Sequence, residues 1–279
     1  QATEVKILLA TPYLSANWFD AGLFFLAAAS RLGHAVTLWD YRLEPEASKG
    51  QWDVAIGMKT GPAEAEQMPH PRFVYWSDDF DRTPGLLPQL LQAYDKVFTP
   101  VRPTPTGCMW LPTGWDPLIH RDLGLPRQHD SIFVGTYTPR KWEFLKVIEP
   151  DDIFGNNWAE TPPTNLNLHG PVYLHHYVWV LNQARLLLNV HHGPVGLGRR
   201  FFEFIACGPT ITDLVPGVEE VLGLDLAAVV GFKTPEEGKA LKEYLLDRPG
   251  LLNGVWREEQ RAIEPYTYEA ALKRILECV

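Results

Sequence analysis

Between Leu186 and Asp213 the chain reads LLLNVHH, GPVGLG, RRFFEFIACG and PTITD, and that order leaves few folds open. The apolar run Leu186, Leu187, Leu188 and Val190 has the length and continuity of a strand buried on both faces, as in a parallel sheet covered by helices. Gly193, Pro194, Gly196 and Gly198 interrupt it. From Arg199 to Cys207 apolar residues return at helical period, until Gly208-Pro209 stops them. Phe201, Phe202, Ile205 and Ala206 make the face that packs on a sheet, while Arg200, Glu203 and Cys207 share another. The loop between strand and helix offers free amides and the positive end of a helix dipole, which suits phosphate. Arg200 in the first turn adds a planar, permanent cation able to grip phosphate oxygens in pairs. Glu203, one turn deeper, can accept both hydroxyls of a ribose. The stretch reads as a nucleotide-diphosphate site. A plainer reading stands beside it: Arg200 and Glu203 as a surface pair worth ~0.2–0.5 kcal/mol, joined to an ordinary connecting loop.

The same strand–helix alternation runs through the rest of the chain. Strands are expected at Lys6–Ala10, Ala35–Trp39, Asp53–Gly57, Phe73–Trp76 and Lys96–Thr99. Helices are expected from Asp20 to Leu32, with Gly33 as the stop, and over Leu86–Tyr94. The loop after the first strand has neither G-x-G-x-x-G nor G-x-x-x-x-G-K-[ST], which weighs against a dinucleotide dehydrogenase or a P-loop enzyme. The turn-rich stretch from Trp110 to Pro117 and the charged segment Arg121–Asp130 read as a linker. The pattern then restarts, with strands at Ser131–Gly135, Asp152–Phe154, Asn165–His169 and Ala227–Gly231. Helices are expected at Lys141–Ile148, His175–Ala184, Pro235–Leu246 and Tyr268–Val279.

At about 150 residues per domain, 279 residues make roughly two domains. The expected class is α/β: two Rossmann-like domains with mostly parallel sheets facing across a cleft, the cleft being the default ligand site. The expected division is 1–120 for a first domain, 121–265 for a second, nucleotide-binding domain, and 266–279 for a closing helix.

No run of about 18 apolar residues exists, so no membrane span is expected, and the opening residues lack the pattern of a signal peptide. Cys108, Cys207 and Cys278 are scattered and odd in number, which argues against a disulfide framework or a zinc site and fits a reducing cytoplasm. A net charge of −9 argues against broad nucleic-acid binding but leaves room for a local basic groove.

Asp78, Asp79 and Asp81 follow an expected strand end. They can form a solvated acidic run, act as a base, or hold a divalent metal through clustered oxygens; the solvated run is the plainer reading, a base is the preferred role if they belong to a site, and no metal is expected. Asp20 is a second base candidate with helix capping as its alternative. His191-His192 and His175-His176 tempt a zinc reading, but neighbouring residues on a strand point to opposite faces. His192 is therefore expected to line the site and His191 to pack in the core. Trp18 and Trp115 fall in loops, where they can stack on a sugar.

An ordered series of short motifs then resembles the GT-B glycosyltransferases, most closely their spore-maturation (CgeB-like) branch. The series opens with Leu111-Pro112-Thr113-Gly114-Trp115-Asp116-Pro117, Phe133-Val134-Gly135 with Pro139-Arg140, and Phe154-Gly155 with Trp158. It continues through His169-Gly170-Pro171-Val172, Leu188-Asn189-Val190, Arg200-Phe201-Phe202-Glu203 and Ala206-Cys207-Gly208. Thr212-Asp213, Pro216-Gly217-Val218-Glu219-Glu220 and Tyr266-Thr267-Tyr268 close it. The resemblance implies transfer of a sugar from a nucleotide-sugar donor, such as a UDP-, GDP- or dTDP-sugar, to a hydroxyl acceptor on a glycan, a lipid carrier or a small molecule.

Carried over by residue, the resemblance puts Glu203 on the donor ribose and Arg200 on the diphosphate. Gly135, Thr136 and Arg140 fall on the phosphate side, with Gly196 and Gly198 in the glycine loop, and Gly170 and Val172 lie near the base with His192 in the donor site. Asp78 and Asp79 are the catalytic candidates. Several retaining families carry a Glu where this chain has Val195, so the pattern gives no support for retention. The expected enzyme is a metal-independent hexosyltransferase with no cofactor beyond the donor, working as a monomer or homodimer. Two alternatives remain: a phage-type enzyme glycosylating modified bases in DNA, and a non-catalytic sugar-nucleotide-binding module.

Overall fold

The computed structural model describes residues 4–11, 21–44, 50–58, 60–76, 85–112, 114–161, 164–193 and 196–279. In chain order, the first half holds β1 (Lys6–Ala10), α1 (Ala21–Arg31), β2 (Ala35–Trp39), β3 (Val54–Met58), α2 (Pro62–Ala65), β4 (Arg72–Tyr75), α3 (Leu86–Ala93), β5 (Lys96–Thr99) and β6 (Cys108–Trp110). Next come β7 (His129–Val134), α4 (Pro139–Ile148), β8 (Asp152–Phe154), β9 (Asn167–His169), α5 (Leu174–Leu181), β10 (Ala184–Asn189), α6 (Arg199–Cys207) and β11 (Thr210–Asp213). The chain ends with α7 (Val218–Leu222), α8 (Leu224–Val230), β12 (Gly231–Phe232), α9 (Pro235–Leu246), α10 (Pro249–Ile263) and α11 (Tyr268–Leu276).

These elements form two compact units: Gln1–Asp116 with Thr267–Val279, and Pro117–Tyr266. The first unit has a six-stranded parallel sheet in the order β2-β1-β3-β4-β5-β6. All of β3 is buried, as expected where both faces are covered. The last helix, α11, packs on α1 within this unit. Tyr268 stacks on Phe24 with centroids 4.9 Å apart and meets the edge of Phe25 at 5.4 Å, while Ala271, Leu272 and Ile275 are buried beneath the helix. Arg31 fastens the join from α1, reaching Asp116 at 2.9 Å and Glu269 at 2.5 Å. Tyr268 N–H also donates to the Trp115 carbonyl at 3.1 Å.

The second unit has its own six-stranded parallel sheet, in the order β12-β11-β10-β7-β8-β9. Helix starts follow from the sequence. Thr138 caps α4 by accepting from Lys141 N–H, with Pro139 at the first helical position. Thr234 and Glu237 form a capping box on α9.

The structure departs from the sequence reading in several places. Residues 227–230, expected as a strand, belong to α8: Ala227 and Val230 are buried while Ala228 and Val229 between them face outward, a helical spacing that a short apolar run conceals. Ala184, expected in a helix, opens β10 instead and pairs with His129 of β7. Helix α10 and strand β6 were not foreseen. The segment read as a linker is fastened to the second unit. Buried Asn182 donates to the Arg121 carbonyl at 3.0 Å and accepts from Leu123 N–H at 2.7 Å. Arg127 donates to the carbonyls of Ala184 and Cys207 at 2.6 and 3.2 Å.

Candidate functional site

In the second sheet the chain leaves β7 towards β8 and β9, then returns on the other side of β7 as β10 and continues to β11 and β12. The loops after β7 and β10 therefore diverge, leaving a crevice beyond the carboxyl ends of the strands at this switch point. Gly135, Thr136 and the start of α4 line it from one side. Gly196, Gly198 and the start of α6 line it from the other.

The β7 loop is held rigidly. Gly135 N–H donates to the Phe154 carbonyl at 2.8 Å, and its own carbonyl accepts from the Trp158 indole at 2.7 Å. Arg200 lies against this loop: a methyl group on Gly135 would come within 2.9 Å of an Arg200 terminal nitrogen. Arg200 is half-buried, and its side chain makes no hydrogen bond or ion pair among the described residues. Burial lowers its pKa, Arg199 adds to the effect, and Tyr177 and Glu203 oppose it.

Arg140 is committed to protein acceptors, donating to the His191 carbonyl at 2.8 Å and to Asp213 Oδ2 at 2.7 Å. Asp213 is buried at the end of β11, and its Oδ1 also accepts from His191 N–H at 2.9 Å and lies 2.7 Å from His191 Nδ1. Burial raises the Asp213 carboxyl, but His191 and Arg140 outweigh it and hold it below the usual carboxylate range. Next to Arg140, Lys141 is only 2% exposed, and its amine donates to the Thr136 carbonyl at 3.1 Å. Burial and Arg200 bring the amine down to about 7, with Asp213 opposing and Arg140 adding.

Glu203, on α6, is 2% exposed. Its Oε2 accepts from the Tyr177 hydroxyl of α5 at 2.7 Å, and Oε1 faces Arg199 Nε at 3.4 Å and His120 Nε2 at 3.7 Å. Burial raises this carboxyl, while Arg199, His120, Tyr177 and Arg200 together keep it below its ordinary value. Burial and the Glu203 charge push the Tyr177 hydroxyl well above its usual pKa. With one carboxylate shielded and another saturated, Arg200 leaves positive charge at the crevice. An anion with several acceptor oxygens fits that balance.

The structure brings Gly135, Thr136, Arg140, Gly196, Gly198, Arg200 and Glu203 to this switch point. His191 is buried against Asp213, whereas His192 is exposed at the end of β10. Gly170 is exposed in the loop before α5, and Val172 is partly buried against the core beneath that helix. Asp78, Asp79 and Asp81, together with Asp20, Trp18 and Val195, lie outside the described residues. Sequence reasoning missed Lys141, Tyr177 and His120. The adjacency of Lys141 to Arg140 was a usable signal; Tyr177 and His120 carried none, since only the fold sets them beside Glu203. Among the described residues no group of three or more His, Cys, Asp or Glu side chains is arranged to hold a metal. Among the same residues no helix is long and apolar enough to cross a membrane.

The profile of a family described as glycosyl transferase-like matches residues 140–277, which include Arg140, Lys141, Arg200, Glu203 and Asp213. Over that stretch the chain is similar to the glycosyl transferase-like family. T4 phage β-glucosyltransferase, solved with UDP-glucose, is 12% identical and superimposes with a TM-score of 0.65, covering 96% of this chain and 98% of that one. The same phage enzyme solved with UDP and Mn²⁺ gives a TM-score of 0.62 at 12% identity, covering 98% and 99%. An α-glucosyltransferase solved with UDP and a 13-mer DNA containing an HMU base gives 0.67 at 10% identity, covering 99% of both chains. At such identities the likeness shows the fold: two parallel-sheet α/β domains of six strands each, of the GT-B type. No curated protein sequence matches the chain.

Proposed function

We propose that this protein is a glycosyltransferase that takes a sugar, of hexosyl type, from a nucleotide-sugar donor bound at the switch point of the second unit and passes it to a hydroxyl acceptor. The observation that carries the reading is Arg200: a half-buried guanidinium against Gly135, without a protein acceptor among the described residues, in the crevice where two βα loops diverge. A diphosphate supplies the acceptors it lacks. Cleaving the sugar–phosphate bond leaves charge on a nucleoside diphosphate, and Arg200, Lys141 and the first amides of α6 stabilise it by preorganised electrostatics. We assign Glu203 to the ribose hydroxyls. Both of its oxygens already have partners, so a ribose would displace Arg199, whose 3.4 Å contact is longer than the Tyr177 bond and whose side chain is 27% exposed. Arg140 then serves to fix the loop around His191, being tied to that carbonyl and to Asp213. Asp78 or Asp79 is the proposed base for an inverting transfer.

UDP-glucose is the first donor to test, because the T4 phage enzyme of the same fold was solved with it. In a thermal-shift assay a ligand at 100 times its dissociation constant adds ~2.7 kcal/mol. Arg200→Ala is expected to weaken binding by ~1.5–3 kcal/mol, the range for hydrogen bonds to charged groups. Unchanged affinity in a folded variant removes Arg200 from the site. Activity is expected to survive EDTA, since arginine, lysine and amides supply the positive charge. Loss with EDTA and rescue by Mn²⁺ or Mg²⁺ would instead make Asp78, Asp79 and Asp81 candidate ligands.

A second reading concerns the acceptor. The α-glucosyltransferase of the same fold was solved with DNA containing an HMU base, which makes a modified base an acceptor to test beside a glycan, a lipid carrier or a small molecule. The net charge of −9 opposes it. Salt-sensitive binding of hydroxymethylated DNA, measured against unmodified duplex, decides between them. Membership of the spore-maturation branch, with action in a reducing cytoplasm, is the setting we propose, in keeping with three free cysteines.

A further inference from the structure

Lysine is almost never fully buried without a charged partner, yet Lys141 is 2% exposed and has none among the described residues. An ammonium has three N–H donors; among the described residues the Thr136 carbonyl, at 3.1 Å, accepts one of them. The groups facing this amine come from several elements. Arg140 precedes it on α4, Arg200 reaches in from α6, and the Phe133 ring of β7 lies 5.9 Å from Nζ. Asp213 of β11 is the one carboxylate acting on it. Both Asp213 oxygens are already used, Oδ2 by Arg140 and Oδ1 by His191 of the β10 loop. A charged Lys141 would thus add a third cation beside two guanidiniums, with two donors unmet.

We infer that Lys141 couples the seating of the donor's diphosphate to the uptake of one proton, an inference resting on the donor reading above. Above neutral pH the amine is uncharged in the empty crevice and becomes ammonium when a diphosphate arrives against Arg200 and supplies the countercharge that Asp213 does not. Its low value of about 7 sets the pH range in which the coupling is visible. Lys141 need not touch the phosphates to do this; the effect travels as charge across the loop that carries Thr136. One proton linked to binding makes affinity fall about tenfold per pH unit above the value of the free group.

The experiment is calorimetric titration of the whole chain with UDP-glucose, whose diphosphate diester does not itself titrate near neutrality. Comparing HEPES and Tris, which differ in ionisation enthalpy, gives the number of protons exchanged. Close to one proton is expected per donor at pH 8 and close to none at pH 6. Lys141→Met should abolish the uptake and flatten the pH dependence of the dissociation constant. Lys141→Arg, permanently charged, should bind at pH 8 at least as tightly as wild type and without uptake. Wild-type binding at pH 8 with no proton exchanged overturns the inference, as does undiminished uptake in either variant, which would assign the proton to a histidine such as His192. Failure of UDP-, GDP- and dTDP-glucose alike to bind at either pH removes the donor reading, and this inference with it.

Discussion

Gly155 opens the turn after β8 with a φ of +148°, and replacing it with alanine is the sharpest test of how the crevice is supported. A Cβ there would stand 1.9 Å from the Gly135 carbonyl oxygen, 2.6 Å from its carbon and 3.0 Å from the Trp158 indole nitrogen. None of these is the loose end of a flexible side chain. Two are backbone, and the third donates the 2.7 Å bond that holds Gly135 in place. Holding a non-glycine residue at such a φ costs of order 1–3 kcal/mol, and forcing a methyl into a filled space costs another ~1–3 kcal/mol. Orphaning the buried indole N–H adds ~1–3 kcal/mol if the loop moves away. Relaxation trades these against one another, so Gly155→Ala is expected to lose ~3–6 kcal/mol, a large share of a typical domain's ~5–15 kcal/mol. Equilibrium urea unfolding followed by circular dichroism measures it. Gly254→Ala is the control: it lies inside α10 with nothing within 4 Å of the added methyl, and it should gain ~0.5–1 kcal/mol. UDP-glucose affinity should fall with Gly155→Ala even where the protein remains folded, because Gly135 is the surface Arg200 lies on. A loss below ~1 kcal/mol together with unchanged affinity would refute the claim that the β8 turn supports the β7 loop.

Glu259 on α10 is 1% exposed, with Oε1 lacking a hydrogen-bond partner among the described residues and Oε2 accepting from Thr210 N–H at 3.2 Å. Burial raises its pKa well above the ordinary value, so the folded chain keeps a proton that the unfolded chain releases, and stability falls as pH rises from ~4.3 towards the folded value. Glu259→Gln should remove that slope and gain on wild type between pH 5 and 8 in urea midpoints; parallel pH profiles would mean the carboxyl is already ionised when folded. Asp213 has the opposite sign. Its depressed pKa contributes stability present above the unfolded value of ~3.9 and lost as pH falls through the folded one. Asp213→Ala should cost ~3–5 kcal/mol at pH 7 by stranding Arg140 and His191, with the gap to wild type narrowing in acid; a constant gap would deny the ion pair its role. Deleting Thr267–Val279 should destabilise the first unit by uncovering Phe24, Phe25 and Arg31. Unaltered protease resistance of residues 4–116 after that deletion would show that α11 is dispensable there.

Local pattern carried much of this architecture. Apolar runs such as Leu186–Leu188 specify strands covered on both faces, and among the described residues every strand pairing in the two sheets is parallel, as those runs require. Thr138-Pro139 and Thr234-Pro235 with Glu237 mark helix starts through caps that act within four residues. The glycines before Arg199 mark the turn into α6 for the same reason: each signal needs only its own neighbours. Where periodicity is short, the signal fails. Ala227–Val230 is too brief to tell a strand from one turn of helix, and burial of Ala227 and Val230 on the same side is decided by what packs against them. The candidate site divides in the same way. Arg200 and Glu203 are legible because one helical turn places them together. The shell around Glu203 joins His120 and Tyr177, from separate parts of the chain, to Arg199 one turn away, and Lys141 owes its lowered pKa to burial and to Arg200 on a distant helix. The sequence alone determined most of the strands, the capped helix starts and which cations flank the glycine loop. Only the tertiary structure decided which of those charges found partners, because desolvation and charge pairing depend on distances between residues far apart in the chain.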